Sequence, residues 1–305
     1  MDKLGTKKKR ITRQDMSYRV ALCVFILPAL ALFLTFAVYP LIPELIISLQ
    51  EHNGYVSKDW VGLKNYLTVL SSKSFWTAQK NTILVVFCAL VIGFPISLIF
   101  ALLMDAATPK VKNFFKVAAV FPSVLSVTVV AKMWVAIYET KWGLVNTILR
   151  FVGLDSLTRV WLADEKTAMI AITIGYVWQY LGINALMLYT GIKAIPKSYF
   201  ESALIDGAGF WKASFHITIP LLKDVMKYVV TTLTLGSLGM FSYINVMTKG
   251  GPGFLTRTLT YEMYYRAFET SKFGQGCAVA VIFIIQSICI SLIINKVFGN
   301  EKIEY

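Results

Sequence analysis

Charge is scarce in this chain of 305 residues. Only 15% of the residues are charged, whereas 56% are hydrophobic, and the mean hydropathy is +0.63. A soluble domain of this length carries far more charge, because water must wet its surface. The scarcity argues against an ordinary soluble domain and predicts a protein whose apolar surface lies in a lipid bilayer.

Cysteine and histidine are too few and too scattered for a disulfide framework or a metal site. The four cysteines lie far apart inside apolar segments, at Cys23, Cys88, Cys277 and Cys289, and the chain has only two histidines. Without metal-ligand spacing, we interpret these cysteines as small apolar side chains. We therefore expect no metal centre.

Sequence motifs of catalysis are also missing. The chain contains no G-x-x-x-x-G-K-[ST], no G-x-S-x-G and no H-E-x-x-H. We predict that it has no catalytic residue and no cofactor, and that it cannot bind ATP through a P-loop. A membrane-bound enzyme is unsupported, because no nucleophile, base or metal ligands cluster in the sequence.

The positive charge is what the chain does have, with a formal net charge of +13. Basic residues collect at the edges of apolar runs, most densely in residues 7–19. The aromatic residues lie inside the apolar runs and not among the cations, so we do not expect nucleic-acid binding. Cations beside the cytoplasmic face of a membrane explain this placement better.

Six stretches are long and apolar enough to cross a bilayer, which needs about 20 residues of helix. We predict transmembrane helices over residues 20–38, 82–104, 117–138, 168–189, 228–246 and 276–297. The first exceeds the length of a signal-peptide core, so we expect it to be retained. Free backbone groups are not tolerated in lipid, and the expected fold is therefore an all-α integral membrane protein.

Lysine placement sets the expected orientation. The connection after the second span carries Lys110, Lys112 and Lys116, and the connection after the fourth carries five further lysines. Both termini should then be cytoplasmic, although four arginines also occur in the outer connections. We divide the chain into a basic segment at 1–19, a six-helix domain at 20–298 and a cytoplasmic tail at 299–305.

Lys132 is the one full charge well inside a predicted span. One interpretation is that its side chain reaches the outer membrane surface. The other is that it faces a water-filled cavity, where intramembrane ions usually lie.

Residues 195–222 form a polar connection too long for a tight turn. Pro196 ends the preceding helix, and Ser198 with Glu201 has the spacing of a capping box. We predict a short helix over 199–206 that ends at Gly207, and a second helix over 210–216. Exposed aromatic residues, including Phe210 and Trp211, could anchor this compact structure in a partner's groove.

The same connection resembles a family motif, E-A-A-x(3)-G-x(9)-I-x-L-P, of permease subunits in binding-protein-dependent ABC importers. The chain matches it with Glu201, Ser202, Ala203, Gly207, Ile217, Ile219 and Pro220. Serine replaces alanine at 202, and isoleucine replaces leucine at 219. The longer run over 201–211 resembles the carbohydrate branch of that family.

Two further segments resemble the MalF/UgpA-like sugar permeases. Residues 248–252 read T-K-G-G-P and precede Tyr264, Ala267 and Phe268, similar to a T-G-G-G-P…Y…A-F signature with Lys249 in place of a glycine. Residues 60–66 are similar to an F-x-G-L-x-N-Y segment in the first outer loop. The resemblance spans nearly the whole chain.

The resemblance implies a function, a set of partners and a location in a bacterial-type plasma membrane. Two permeases pair, each binds an ABC ATPase subunit through its cytoplasmic loop, and ATP-driven closure of the ATPase dimer switches the pore between inward and outward access. A solute-binding protein outside the membrane delivers the sugar. The coupling residues implied here are Glu201, Ser202, Ala203, Asp206, Gly207, Phe210 and Trp211.

A sugar path needs aromatic faces and neutral polar groups. The residues inside the spans that offer them are Tyr176, Gln179, Asn184, Tyr243, Asn245 and Gln286. Neutral polar side chains in spans more often hold helices together, at about 0.6 kcal/mol each.

We therefore expect a carbohydrate importer permease, with an oligosaccharide as the substrate. Glycerol-phosphate compounds are an alternative within the same family. A secondary transporter working without ATP is a further alternative, but it would favour paired carboxylates deep in the spans, and this chain has none there.

Overall fold

The computed structural model describes residues 13–299, without the side chains of residues 13–22, 57 and 58. Most of the predicted basic segment at 1–19 and of the predicted tail at 299–305 therefore lies outside the described residues. The helices are α1 Arg13–Phe33, α2 Leu41–Ser48, α3 Lys64–Leu70, α4 Lys73–Cys88, α5 Phe94–Ala106, α6 Pro109–Val124, α7 Val127–Ile137, α8 Leu144–Phe151, α9 Ala168–Ala194, α10 Lys197–Ile205, α11 Phe210–Ala213, α12 Ile219–Leu221, α13 Lys223–Leu238, α14 Ser242–Met247, α15 Leu259–Tyr264 and α16 Phe273–Phe298. Short π-helical turns connect several of them, and two strands, β1 Gln50–His52 and β2 Ser57–Trp60, form an antiparallel hairpin.

Within the described residues, four continuous helical stretches are long and apolar enough to cross a membrane. They are Cys23–Ser48, Lys73–Ala106, Ala168–Ala194 and Phe273–Phe298. They contain the predicted spans over 82–104, 168–189 and 276–297 and all but the first three residues of the span over 20–38. Their backbone groups are satisfied within each helix, as lipid requires. The predicted all-α membrane fold is confirmed.

The predicted single span over 117–138 is wrong in shape. The segment forms two helices, α6 and α7, which meet at an angle of 98°. Leu125 and Ser126 are extended at the break, three residues after Pro122. Pro122 lacks the N–H that a continuous helix would use, and the freed carbonyls of Pro122 and Leu125 accept hydrogen bonds from the Gln179 side chain, at 3.3 and 3.1 Å.

The predicted span over 228–246 is also divided. α13 ends at Leu238, Gly239 follows as its cap, and α14 begins only at Ser242. Hydroxyl residues such as Thr231, Thr234 and Ser237 lower the hydropathy here, and their side chains bond backbone carbonyls of the same helix. The described residues thus contain four continuous candidate spans, or five when α6 and α7 count as one, instead of six.

The hairpin and α3 were not predicted, and they fasten the segment after α2. Asn65 donates through Nδ2 to the carbonyls of Ser48 and Gln50, both at 2.9 Å, and the hydroxyl of Tyr66 lies 2.7 Å from Ser48 Oγ. Asn65 and Tyr66 are the last two residues of the 60–66 motif. Their side chains explain why an asparagine followed by a tyrosine occurs there.

Helix α9 is the central element, and it packs against α5, α6 and α13. Gly182 allows the approach of α6, because a Cβ at this position would lie 1.8 Å from the carbonyl oxygen of Ala119. One apolar core joins α9 to α7 and α14 around Ile172 and Tyr243, and a second joins the end of α9 to α5 and α13 around Leu188 and Leu222. The second core lies beside residues 195–222.

Candidate functional site

The connection over 195–222 forms two short helical units, as the sequence predicts. α10 begins at Lys197 and ends at Ile205, with Asp206 as its C-cap. α11 begins at Phe210 and continues through a π-helical turn at Ser214–Thr218 into α12. The predicted helix over 199–206 therefore exists, with a start two residues earlier.

The predicted capping box is wrong. Pro196, with φ −57° and ψ 137°, precedes the first helical residue, and no side chain bonds the open N–H groups of α10. Ser198 already lies inside the helix, so its hydroxyl is not placed as an N-cap. A proline before the helix sets the chain direction without a side-chain cap.

Gly207 ends α10 in a Schellman motif, as predicted for a glycine at this position. Its φ is +72°, its N–H bonds the carbonyl of Leu204 at 3.1 Å, and the N–H of Ala208 bonds the carbonyl of Ala203 at 2.8 Å. No atom lies within 4 Å of the position that a Cβ would take. Glycine is therefore favoured here by the positive φ, and not by a lack of space for a side chain.

The two helical units expose an apolar surface that the single chain does not cover. Leu204 is 75% exposed, Ile205 86%, Phe210 40% and Trp211 51%, and the Phe210 and Trp211 rings pack edge to face at 5.1 Å. Of the other predicted coupling residues, Glu201, Ser202, Asp206 and Gly207 are exposed and Ala203 is buried. A groove of about 560 Å³ lies between α10 and α11 and is lined by Tyr199, Ser202, Asp206, Lys212 and His216 among others. We name this surface, formed by residues 197–217, the coupling surface.

Apolar contacts fasten the coupling surface to the transmembrane helices. Phe200 and Leu221 pack against a core that contains Ile195, Leu222 and Leu188. This core also includes the end of α5 and the start of α13. The coupling surface is therefore packed directly against the ends of α5, α9 and α13.

Three of the predicted path residues form one buried cluster. Tyr243 donates to Gln179 Oε1 at 2.5 Å, and its ring packs edge to face on Tyr176 at 5.9 Å. Gln179 is fully buried, and its amide nitrogen bonds the two carbonyls at the α6–α7 break. The cluster joins α9 and α14 to this break, so these polar groups hold helices together in the single chain.

The other three predicted path residues lie elsewhere. Asn184 is buried farther along α9 and makes no hydrogen bond to the cluster, and Asn245 and Gln286 are half-buried on α14 and α16. Lys132 is exposed on α7, beyond the break.

The segment over 248–275 contains a buried ion network that sequence reasoning missed. Glu262 is 1% exposed and accepts hydrogen bonds from Arg257 at 3.0 Å, Arg266 at 2.8 Å and Ser74 at 2.8 Å. Arg266 also donates to Gln275 Oε1 at 2.8 Å and to Ser72 Oγ at 2.6 Å. We name this group the buried ion network. Its sequence signal was the spacing of Glu262 and Arg266, four residues apart on one helical face.

The loop that resembles T-G-G-G-P is fastened from α4. Asn81 donates through Nδ2 to the carbonyls of Leu255 and Arg257, at 2.7 and 2.9 Å. Lys249, which stands where the family has glycine, adopts a φ of +50°. That conformation explains the glycine preference, because L residues rarely adopt it.

Four arginines lie in the connections that the lysine pattern places outside the membrane, and all four have local partners. Arg257 and Arg266 belong to the buried ion network. Arg159 pairs with Asp164 at 3.4 Å, and Arg150 donates to the carbonyl of Lys141 at 2.6 Å. Their placement therefore reflects local structure and need not report orientation.

Carboxylates in the connection between α7 and α9 also accept local hydrogen bonds. The backbone N–H groups of Trp142 and Lys141 lower the pKa of Glu139, and the N–H of Lys166, with the nearby Arg159, lowers the pKa of Asp164. Both carboxylates lie outside the membrane-spanning segments and stay ionised at neutral pH.

Comparison with known proteins relates this chain to membrane components of transport systems. Residues 93–298 match the family model described as "Binding-protein-dependent transport system inner membrane component". The arabinooligosaccharides transport system permease protein AraP of Bacillus subtilis is 34% identical over 95% of this chain and 92% of its own length. The trehalose/maltose transport system permease protein MalF of Thermococcus litoralis is 30% identical over 97% of this chain and 98% of its own.

A solved structure shares the fold. The crystal structure of a bacterial ABC transporter involved in the import of the acidic polysaccharide alginate superposes with a TM-score of 0.81. It covers 93% of this chain and 97% of its own, at 22% identity. At this identity the likeness concerns the fold alone.

Proposed function

The chain belongs to the family of binding-protein-dependent transport system inner membrane components, and on that premise we propose that it is one of two permease subunits of an ATP-driven carbohydrate importer. The observation that carries the proposal is the coupling surface. A monomeric protein seldom leaves residues such as Leu204, Ile205 and Trp211 uncovered on one compact projection unless a partner covers them.

The proposed partner of the coupling surface is a cytoplasmic ATP-binding-cassette ATPase. The chain has no P-loop of its own, so the hydrolysing subunit must be another polypeptide. Phe210 and Trp211 offer aromatic anchors, and Glu201 and Asp206 offer exposed charges beside them. Aromatic anchors with a polar rim are the usual composition of a binding hot spot.

In the proposed mechanism, closure of the ATPase dimer moves the coupling surface, and the apolar core around Leu188 and Leu222 transmits that movement to α5, α9 and α13. The breaks between α6 and α7 and between α13 and α14 give the helices places to reorient. The result is a pore that opens alternately to each side. ATP binding and hydrolysis favour different states of the partner, which is what coupling requires.

The proposed topology places residues 1–19, residues 195–222 and the tail in the cytoplasm. The hairpin, α3 and the buried ion network then lie on the outer side, where a solute-binding protein docks. Lys110, Lys112 and Lys116 on the inner side agree with the usual excess of cytoplasmic lysine.

The proposed substrate is an oligosaccharide. The names of AraP and MalF, which report arabinooligosaccharides and trehalose or maltose, support this class for the present chain. Tyr176, Gln179 and Tyr243 are proposed to shape the path indirectly, by holding α9 to the α6–α7 break. Asn184, Asn245 and Gln286 are proposed as the residues nearer the solute.

Two substitutions at one position test the coupling role. Gly207→Val places a β-branched residue at φ +72°, whereas Gly207→Asn places there a residue that tolerates this conformation. In the assembled importer, we expect Gly207→Val to lower binding-protein-stimulated ATPase activity and sugar uptake at least tenfold, while Gly207→Asn retains most of both.

The control is membrane insertion, which both variants should retain. Thermal unfolding should show a loss of about 1–2 kcal/mol in Gly207→Val from backbone strain at φ +72°, and a smaller loss in Gly207→Asn, since no other atom contacts this position. Full transport by Gly207→Val would refute the coupling role. Uptake of glycerol-phosphate compounds in place of sugars, measured over a panel of solutes, would refute the substrate class and leave the importer assignment intact.

A further inference from the structure

Three lysines converge on one tyrosine ring at the end of the core beside the coupling surface. The ammonium groups of Lys112, Lys116 and Lys193 lie 5.8, 5.0 and 5.7 Å from the centroid of the Tyr189 ring. Lys112 and Lys116 come from the first two turns of α6, and Lys193 comes from the last turn of α9. Three like charges around one buried ring repel one another, and they therefore favour an anion between them.

One carboxylate of the protein lies beside the three lysines and balances part of their positive charge. Asp105 forms an ion pair with Lys193, and its backbone carbonyl accepts a hydrogen bond from Lys112 at 3.2 Å. Among the ion pairs of residues 13–299, no other carboxylate engages these lysines. The group formed by Lys112, Lys116, Lys193 and Asp105 thus keeps a formal net charge of +2, with no carboxylate for Lys112 or Lys116 among the described residues.

The surface beside this group is apolar and uncovered. Val111 is 44% exposed, Phe114 69% and Val117 72%, all on α6 next to the two lysines. Phe115 of the same helix packs edge to face on Phe100 of α5 at 5.6 Å, and this contact holds α6 against α5. A cationic group beside exposed apolar side chains matches a molecule that carries an anionic head and hydrocarbon chains.

We propose that Lys112, Lys116 and Lys193 around Tyr189 form a binding site for the phosphate headgroup of an anionic phospholipid in the cytoplasmic leaflet. The phosphate oxygens accept hydrogen bonds from the lysines, and the acyl chains lie along Phe114 and Val117. Basic pockets between transmembrane helices at the cytoplasmic side bind such headgroups by the same electrostatics. The choice of leaflet rests on the orientation proposed above.

A bound lipid at this position would stabilise the ends of α5, α6 and α9. Of these helices, α5 and α9 belong to the core around Leu188 on which the coupling surface packs. The anionic lipid would therefore favour the arrangement of these helices seen here. That link makes the site a point at which membrane composition can influence the permease.

The test is native mass spectrometry of the purified full chain in detergent micelles, titrated with phosphatidylglycerol or, as the zwitterionic reference, phosphatidylcholine. We expect at least tenfold tighter binding of phosphatidylglycerol. The double variant Lys112→Gln with Lys116→Gln leaves the Lys193–Asp105 pair intact, and each removed lysine should weaken phosphatidylglycerol binding about fivefold.

Lys110→Gln is the matched control, because Lys110 is an exposed lysine of the same helix that does not contact Tyr189. It should keep the binding of the unsubstituted chain. An equal loss in Lys110→Gln, or no loss in the double variant, would overturn the site. Thermal unfolding in phosphatidylcholine micelles confirms that both variants are folded.

Two further arms identify the occupant. If inorganic phosphate at the same concentration competes fully with phosphatidylglycerol, the site takes a soluble anion and the lipid proposal fails. If lipid binding by the purified double variant is unchanged, and the same variant fails to co-purify with its partner subunits from the assembled importer, the lysines serve a protein interface and the proposal also fails. Lipid binding in micelles does not depend on orientation or transport, so its outcome is separate from that of the importer function.

Discussion

The coupling surface and the buried ion network are both built around polar and charged residues between spans, yet they are constructed in opposite ways. The coupling surface leaves Ile205 and Trp211 exposed, and its charged residues Glu201 and Asp206 form no ion pair among the described residues. The buried ion network hides Glu262 almost completely and satisfies it with two arginines and a serine.

The difference separates a surface whose apolar side chains the single chain leaves uncovered from a segment whose buried carboxylate is paired within the chain, although Arg257 Nε has no hydrogen-bond partner there. Exposed apolar side chains contribute little to the stability of the single chain, and under the proposed function the ATPase would cover those of the coupling surface. A buried charge must be paired within the chain, because an unpaired one is costly. Substitutions in the two regions should therefore separate folding from assembly.

The largest effect is expected at Glu262. Glu262→Leu removes the acceptor shared by Arg257 and Arg266 and leaves two buried cations, so we expect a loss of about 3–5 kcal/mol of stability. Thermal unfolding of the purified chain in detergent measures it. Glu269→Leu, an exposed glutamate of the same segment, should change stability by less than about 0.5 kcal/mol. Equal unfolding temperatures for the two variants would show that the buried pairing of Glu262 does not stabilise the chain.

The next effect is expected on assembly alone. Trp211→Ala should weaken ATPase binding by about 2 kcal/mol, as loss of an aromatic anchor does, while the chain's own stability changes little because Trp211 is half exposed. Trp142→Ala, an exposed tryptophan in the connection between α7 and α9, is the control and should bind the ATPase normally. A large loss of intrinsic stability in Trp211→Ala would contradict the distinction.

A smaller effect is expected where α4 holds the loop before the buried ion network. Asn81→Leu leaves the carbonyls of Leu255 and Arg257 without their donor, which should cost about 1–3 kcal/mol. Chemical denaturation in mixed micelles gives the value. Asn113→Leu, at an exposed position of α6, should be nearly neutral, and an equal cost there would show that the loss has another cause.

The smallest effect is a gain. Lys249→Gly relieves a φ of +50° and should stabilise the chain by about 0.5 kcal/mol. Lys296→Gly, inside α16, should instead cost about 1 kcal/mol. The two variants should therefore shift the unfolding temperature in opposite directions, and a shared direction would argue against backbone strain at Lys249.

Sequence reasoning reached the elements whose signal is local. The apolar runs predicted the long helices, and Gly207 predicted the end of α10, because each depends on residues close together in the chain. The capping box at Ser198 failed because Pro196 sets the start of the helix two residues earlier. The spacing of Ser198 and Glu201 does not by itself show whether the helix begins there or directly after Pro196.

The parts that sequence reasoning missed depend on contacts between distant residues. The α6–α7 break is satisfied by Gln179, more than fifty residues later, and Glu262 is satisfied partly by Ser74, nearly two hundred residues earlier. No pattern within a short window reports such partners. The same limit explains why Arg257 and Arg266 could be mistaken for loop charges.

The most direct test of the account is the side of the membrane on which the coupling surface lies. Trp211→Cys, made in a chain whose four native cysteines are replaced, should react with a membrane-impermeant thiol reagent only in inverted vesicles. Trp142→Cys should react only in right-side-out vesicles. Reaction of Trp211→Cys in right-side-out vesicles would place the coupling surface outside the cell and contradict its role in binding a cytoplasmic ATPase.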